Sequence, residues 1–195
     1  MKSKVIAICG ESGAGKDLIA KTLIEKYGWH FAVSLTTRKP RLNEIDGVDY
    51  HFITNEEFNK KFDNGELFEK ASYISNNELL QYGLSRESFK DNVINIAIVN
   101  PKGLDQLLKT DLKDRLIIFK IEATLEQRIM RYLNRDNIND NQKIQLRDRL
   151  KQDFEDFDEF YNKYNFYKIN NNDDKNIEDV CDKIMSNIIW EVGEY

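Results

Sequence analysis

Cysteine is nearly absent from this chain of 195 residues: Cys9 and Cys181 are the only two, far apart and without paired spacing, which argues against a disulfide framework or a zinc site. Proline is equally scarce, with Pro40 and Pro101 alone, and no Pro-rich or low-complexity stretch marks a linker between independent domains. No apolar run approaches the ~20 residues that cross a bilayer. Met1 to Lys4 lead straight into a strand-like segment and not into the apolar core of a signal peptide. Positive charge is also in deficit. The 29 Lys and Arg against 34 Asp and Glu leave a net charge of −5, which opposes non-specific affinity for nucleic acid. These absences lead us to expect a cytoplasmic chain with neither membrane nor nucleic acid as partner. An anionic ligand would then need a local cluster of Arg and Lys.

What is present reads as alternating strands and helices. Lys4 to Cys9 is a short unbroken apolar run of the kind a buried parallel strand shows, and Lys16 to Tyr27 follows with Leu18, Ile19, Leu23 and Ile24 at helical spacing. Residues 31 to 90 are more polar, with turn signals at Asp46-Gly47, Asn64-Gly65 and Asn76-Asn77, which predicts a small mixed sheet inserted into the main fold. Strand patterns resume at Val93 to Val99 and Leu116 to Ile121. Helical periodicity follows each, through Leu104, Leu107 and Leu108, then through Leu125, Ile129 and Leu133. Lys143 to Tyr161 predicts one helix with an apolar stripe of Leu146, Leu150, Phe154, Phe157 and Tyr161. Tyr164 to Ile169 reads as a last strand and Ile177 to Trp190 as a closing helix. The alternation predicts an α/β fold of three layers, a mostly parallel sheet covered by helices on both sides.

The turn Gly10-Glu11-Ser12-Gly13-Ala14-Gly15-Lys16-Asp17 joins the first strand to the first helix. Its glycines let backbone N–H groups turn inward around phosphate oxygens, the helix adds its positive end, and Lys16 reaches the outer phosphates. The spacing fits the phosphate-loop pattern at every position but the last, where Asp17 replaces the hydroxyl residue that ligates magnesium. A carboxylate there would hold Mg2+ directly or through water. The alternative is an ordinary glycine-rich connection, against which strand, loop, lysine and helix all agree. Farther on, Ser34-Leu35-Thr36-Thr37-Arg38-Lys39-Pro40-Arg41 concentrates three cations beside hydroxyls in an acidic protein, and Tyr50 follows nearby. Alone, such a cluster is compatible with a solvated surface. Downstream of a phosphate loop it suits a second anion, a monophosphate gripped by forked guanidinium groups.

At these residues the sequence resembles the guanylate kinases, whose pattern S-x-T-T-R-x-P-R-x-x-E-x-D-G-x-D-Y-x-F is matched almost letter for letter from Ser34 to Phe52. Asn64 to Glu69 looks like the family's NGE segment, Tyr82-Gly83 like its tyrosine-glycine pair, and Ile169-Asn170-Asn171 like the stretch that closes over adenine. The resemblance implies a phosphate-loop fold with a core of residues 1–33 and 91–195, a monophosphate-binding module of about 34–90 and a lid of about 135–147. It implies an ATP- and magnesium-dependent kinase acting on GMP or dGMP. The loop Gly10 to Asp17, with Asn170, would bind ATP. Ser34, Arg38, Arg41, Tyr50 and Tyr82 would hold the acceptor phosphate, and Glu69 would read the guanine N–H groups. Lys16 would act in catalysis, joined by Arg135 on one side of the lid loop and by Arg147 and Arg149 on the other. Arg128, Arg131 and Arg135 share one helical face and would converge on triphosphate.

Departures from the family pattern fall on the base pocket and the metal. Leu84 stands where a Ser or Thr would meet the guanine carbonyl, and the segment expected as Asp-x-Asp-x-Gln-Gly reads Ile98-Val99-Asn100-Pro101-Lys102-Gly103. Asn100 donates as well as accepts and would suit a different base edge. Asp17 would supply the carboxylate missing at Ile98. Asp after the loop lysine also occurs in ribose 1,5-bisphosphate kinases, which Val99-Asn100 resembles, and in certain phage deoxynucleotide kinases. Other acceptors therefore stay open. So does a non-catalytic module that binds a phosphopeptide through the arginine cluster, although its known forms lack an intact glycine loop.

Overall fold

The computed structural model describes residues 3–41, 44–75, 78–134, 140–172 and 176–192. Along the chain run β1 (Val5–Cys9), α1 (Lys16–Tyr27), β2 (His30–Phe31), β3 (Leu35–Thr36), β4 (His51–Phe52), α2 (Asn55–Asp63), β5 (Leu67–Ser75), β6 (Glu78–Ser85) and β7 (Asn95–Ile98). They are followed by α3 (Pro101–Leu107), β8 (Leu116–Glu122), α4 (Leu125–Leu133), α5 (Asp140–Phe157), α6 (Phe160–Lys163), β9 (Tyr167–Asn170) and α7 (Ile177–Val192). Two compact units result. One comprises Met1–Val5 with Trp29–Leu116, the other Ile6–Gly28 with Ile117–Tyr195.

In the second unit, β1, β8 and β9 lie in that order, and β8 pairs with β9 in parallel from Phe119 with Tyr167 to Glu122 with Asn170. Every residue of β1 is fully buried, the reason its sequence shows an unbroken apolar run where a half-exposed strand would alternate. α7 lies against α1. Its Val180, Cys181, Ile184 and Ile188 are buried, the Cys181 thiol faces the Ile19 carbonyl, and Asp182 accepts from both Lys26 and Tyr27. Both cysteines are buried and unpaired.

Two helices differ from the periodicity reading. On α4 the buried residues are Arg128 and Tyr132, while Leu125 and Leu133 of the expected stripe are exposed. The segment 143–161 is two helices, because α5 ends at Phe157 and α6 begins at Phe160. Leu146 and Phe157 are buried as the stripe requires, but Phe154 is 75% exposed. Successive helical residues point about 100° apart. Asp153 is turned toward the glycine loop, so Phe154 is turned out. In both helices a charged side chain that finds partners on the loop is turned inward while apolar residues of the expected stripe are exposed.

In the first unit, β2 and β7 pair in parallel. A separate four-stranded sheet has the order β4-β3-β6-β5, with β5 and β6 forming an antiparallel hairpin and β3 running antiparallel to β6 but parallel to β4. This is the mixed sheet expected within 31–90. The expected turn Asn76-Asn77 lies outside the described residues. α2 starts with a reciprocal capping box, Thr54 accepting from the Glu57 N–H and Glu57 from the Thr54 N–H, and its Phe58 joins Leu35 and Leu67 in a small core. The edge of β5 is covered by α3: the Gln106 amide accepts from Lys70 N at 3.0 Å and donates to Lys70 O at 2.8 Å, a fork that continues the ladder.

Candidate functional site

The residues singled out by sequence fall into two groups, one in each unit. In the second unit the chain leaves β1 into the glycine turn and enters α1 at Gly15, the helix cap, with φ of 93°. Gly13 has φ of 80°, and a Cβ there would stand 2.6 Å from the Arg128 carbonyl, so only glycine fits between the loop and α4. Lys16 folds back on the loop, its Nζ donating to Gly10 O at 2.8 Å and Glu11 O at 3.0 Å. Burial lowers its pKa, opposed by Asp17, Asp153, Cys9 and Glu11.

A cavity of about 380 Å³ is bordered by Gly13, Gly15, Lys16 and Asp17 and by Arg131, Asn171 and Ile177. The last three come from outside the glycine turn. Arg131 donates to Gly13 O at 3.2 Å and to Asn171 O at 2.6 Å, and the Asn171 amide donates to Ala14 O at 2.8 Å. Of the Asn170-Asn171 pair it is thus the buried Asn171 that touches the loop. Asn170 is exposed and its side chain accepts from Asn172 N. The two differ by one step along the end of β9, where alternate residues face opposite ways. Arg128 is engaged as well, through Ser12 O and Asp153. Arg147 is exposed and pairs at 3.4 Å with Asp148, and Arg149 is half-buried; among the described residues neither hydrogen-bonds the loop. Arg135 lies outside the described residues, as do 136–139 of the expected lid.

In the first unit Arg38 follows β3 and is nine-tenths buried. Its guanidinium forks onto Glu44, Nη1 to Oε2 at 2.6 Å and Nη2 to Oε1 at 2.7 Å, and lies 4.8 Å from the Tyr50 ring centre and 5.5 Å from that of Phe52. Its Nε is buried without a hydrogen-bond partner among the described residues. Burial works against the charge of Glu44, but bonds from Arg38 and from the Arg41 amide hold its pKa below the usual carboxylate range. The Arg41 side chain is 43% exposed, 3.6 Å from Glu44. Tyr50 and Tyr73 both meet Tyr82 edge-on at 6.0 Å. Ser34 is half-buried, and its carbonyl accepts from His51 N.

Glu69 is buried on β5, and desolvation pushes its pKa up to about 8 against the pull of the Leu84 amide. Its carboxyl lies over Gly103, where a Cβ would come within 2.8 Å of Oε2. Asn100 caps α3: its Oδ1 accepts from Gly103 N at 2.7 Å, and its Nδ2 donates to the Tyr73 hydroxyl. An Asn directly before a Pro is a helix-start signal that could have foretold this cap. Leu84 is fully buried. Glu44, Tyr73, Asn171 and Asp153 are the contacts that residue-by-residue reading did not assign. Glu44 had a signal in its place in the arginine pattern, and Asn171 in the Ile169-Asn170-Asn171 stretch; Tyr73 and Asp153 had none.

A glycine loop closing on a lysine between a buried strand and a helix, in an α/β chain with parallel strands, defines the phosphate-loop class. The guanylate kinase family profile matches residues 2–191, and the chain belongs to that family. It is 35% identical over 136 residues to the guanylate kinase of Clostridium perfringens (strain SM101 / Type A), covering 67% of this chain and 61% of that protein, so the chain spans about three fifths of that relative's length. To the guanylate kinase of Schizosaccharomyces pombe it is 31% identical over 161 residues, covering 80% of this chain and 77% of that protein. Among solved structures, guanylate kinase from Anaplasma phagocytophilum has the same fold, with a TM-score of 0.71 at 22% identity over 99% of this chain and 88% of that one. Among the described residues no helix is long and apolar enough to cross a membrane.

Proposed function

We propose that the chain is an ATP-dependent nucleoside monophosphate kinase of the cytoplasm that moves the γ-phosphoryl of ATP to a phosphate oxygen of GMP or dGMP. The observation that carries this reading is Arg38: a buried guanidinium, fixed in direction by Glu44, whose Nε–H has no partner among the described residues. Burying such a donor unpaired costs about 1–3 kcal/mol, which an arriving phosphate oxygen would recover. Tyr50, Tyr82, Arg41 and Ser34 complete the acceptor group within a module of about 34–90.

The donor triphosphate belongs on Gly10 to Asp17, with Lys16 reaching the outer phosphates from its seat on the loop carbonyls. Asn171, with Asn170 beside it, and Arg131 bound the space for the rest of the nucleotide. Asp17 fits magnesium: its carboxylate is exposed at the cavity, and no trio of acidic, His or Cys side chains among the described residues offers a full cage. A metal with one protein carboxylate and otherwise phosphate and water oxygens is the usual magnesium arrangement. When bound, Mg2+ supplies charge neutralisation to the phosphates. In-line phosphoryl transfer asks the protein for positioning and charge rather than covalent chemistry, and an anionic acceptor needs no general base. Lys16 would meet that demand, with Arg135, Arg147 and Arg149 brought in by closure of a lid of about 135–147.

Coupled ADP-release assays across the common ribo- and deoxyribonucleoside monophosphates test the reading. GMP and dGMP are expected to drive release. No acceptor-dependent release with any of them would overturn it, and a preference for another base would move the assignment at Leu84 and Asn100. Arg41→Met is expected to raise the GMP KM by about tenfold, the worth of one exposed charge-assisted phosphate bond, and to leave the ATP KM unchanged. An unaltered GMP KM would remove Arg41 from the acceptor group.

A further inference from the structure

Ser12 is gripped from outside the glycine loop at both of its backbone groups. Its N–H donates to Asp153 Oδ2 at 2.8 Å and its hydroxyl to Asp153 Oδ1 at 3.2 Å, while its carbonyl accepts from Arg128 Nε at 2.8 Å. Arg128 Nη2 closes the ring on Asp153 Oδ2 at 2.7 Å, and both side chains are largely buried. A bare carboxylate against a loop built for anions would repel them. Paired with Arg128, Asp153 adds no net charge.

The consequence follows from the rigidity of the peptide unit. A trans peptide is planar, and its C=O and N–H point opposite ways. With the Ser12 N–H held on Asp153, the Glu11 carbonyl of the same peptide must face the other way, and it is there that the carbonyl accepts from Lys16 Nζ and from Ala14 N. With the Ser12 carbonyl held on Arg128, the Gly13 N–H is likewise turned away from Arg128. One side-chain pair therefore sets both the seat of Lys16 and the aim of a loop N–H.

The geometry points to Asp153, neutralised by Arg128, as a positioning residue that aims Lys16 and the Gly13 amide at the donor triphosphate. It also takes Arg128 out of the set of arginines that touch phosphate. The inference rests on the reading of the loop as an ATP site, and the experiment separates the two.

Mg-ATP binding by calorimetry and steady-state KM values are measured for the unaltered chain and for Asp153→Ala, Asp153→Asn, Arg128→Met and the Arg128→Met/Asp153→Asn double variant. Asp153→Ala is expected to raise the ATP KM about tenfold or more, the worth of a hydrogen bond to a charged group, with the acceptor KM unchanged. Asp153→Asn should recover part of this, because an amide oxygen still accepts from Ser12 N–H. Arg128→Met should be the weakest ATP binder, since it leaves a carboxylate unneutralised beside the phosphates, and adding Asp153→Asn to it should restore part of the affinity. Loss of packing alone would weaken both substrates and make the double variant worse than either single one. An ATP KM within about twofold of the unaltered chain in both Asp153 variants, or a double variant no better than Arg128→Met, overturns the inference. Should Asp153→Ala fail to fold, Asp153→Asn and the rescue pair decide it. Failure of the unaltered chain to bind Mg-ATP would overturn the kinase reading itself.

Discussion

Lys16→Met is expected to lower kcat by about 10³-fold or more, the range in which removal of one preorganised cationic partner of a phosphoryl transition state falls, while leaving the thermal midpoint unchanged or slightly higher. The two halves of this expectation have one cause. Lys16 is held by two loop carbonyls, and burial depresses its pKa. A base whose folded pKa lies below its unfolded value binds its proton less tightly when folded. Its protonation therefore subtracts from stability once the pH is under the unfolded pKa, and in full under the folded one. Met keeps the aliphatic stem and removes the charge, so folding is spared and chemistry is not. Turnover in a coupled assay beside a melting curve separates the two. A variant that melts as the unaltered chain does and retains a kcat within tenfold of it would show that Lys16 is no phosphate ligand.

The legibility of this chain in its sequence was uneven for a physical reason. Gly10 to Asp17 and Ser34 to Phe52 stand out in the sequence because their contacts are local: Lys16 bonds the Gly10 and Glu11 carbonyls, and Arg38 forks onto Glu44 six residues on. What spacing does not show acts across the chain. Asp153 lies 141 positions from Ser12, and Asn171 lies 157 from Ala14. No spacing rule connects such pairs, and the apolar periodicity around them misled. Phe154 held its place in the stripe while its neighbour Asp153 took the inner face, and Leu125 and Leu133 stood out beside a buried Arg128. Asn100 shows the converse. Its type suggested a base-reading amide, yet the structure engages that amide as the cap of α3 and the partner of Tyr73.

Glu69→Gln is expected to stabilise the fold and disable the acceptor site together. Desolvation raises the Glu69 pKa from 4.5 to about 8. A carboxyl whose folded pKa lies above its unfolded value contributes stability that is complete below the unfolded pKa and is lost as pH rises through the folded one, at about 1.4 kcal/mol per pH unit between them. Glutamine carries no such titration. The melting temperatures of variant and unaltered chain should nearly coincide at pH 5 and separate by about 5–10 °C in favour of the variant at pH 8. Binding runs the other way. Guanine presents two adjacent N–H donors, which an ionised carboxylate accepts and an amide opposes with a donor of its own. In the unaltered chain kcat/KM for GMP should therefore climb with pH up to about 8 and then level, because the free enzyme must give up the Glu69 proton to bind. In Glu69→Gln that slope should vanish and GMP use should fall by about 10²-fold or more, the penalty for unpaired polar groups in a buried site. A flat pH profile in the unaltered chain, or a glutamine variant that still uses GMP well, would place base recognition elsewhere and leave Glu69 as a buried acid of the β5 hairpin.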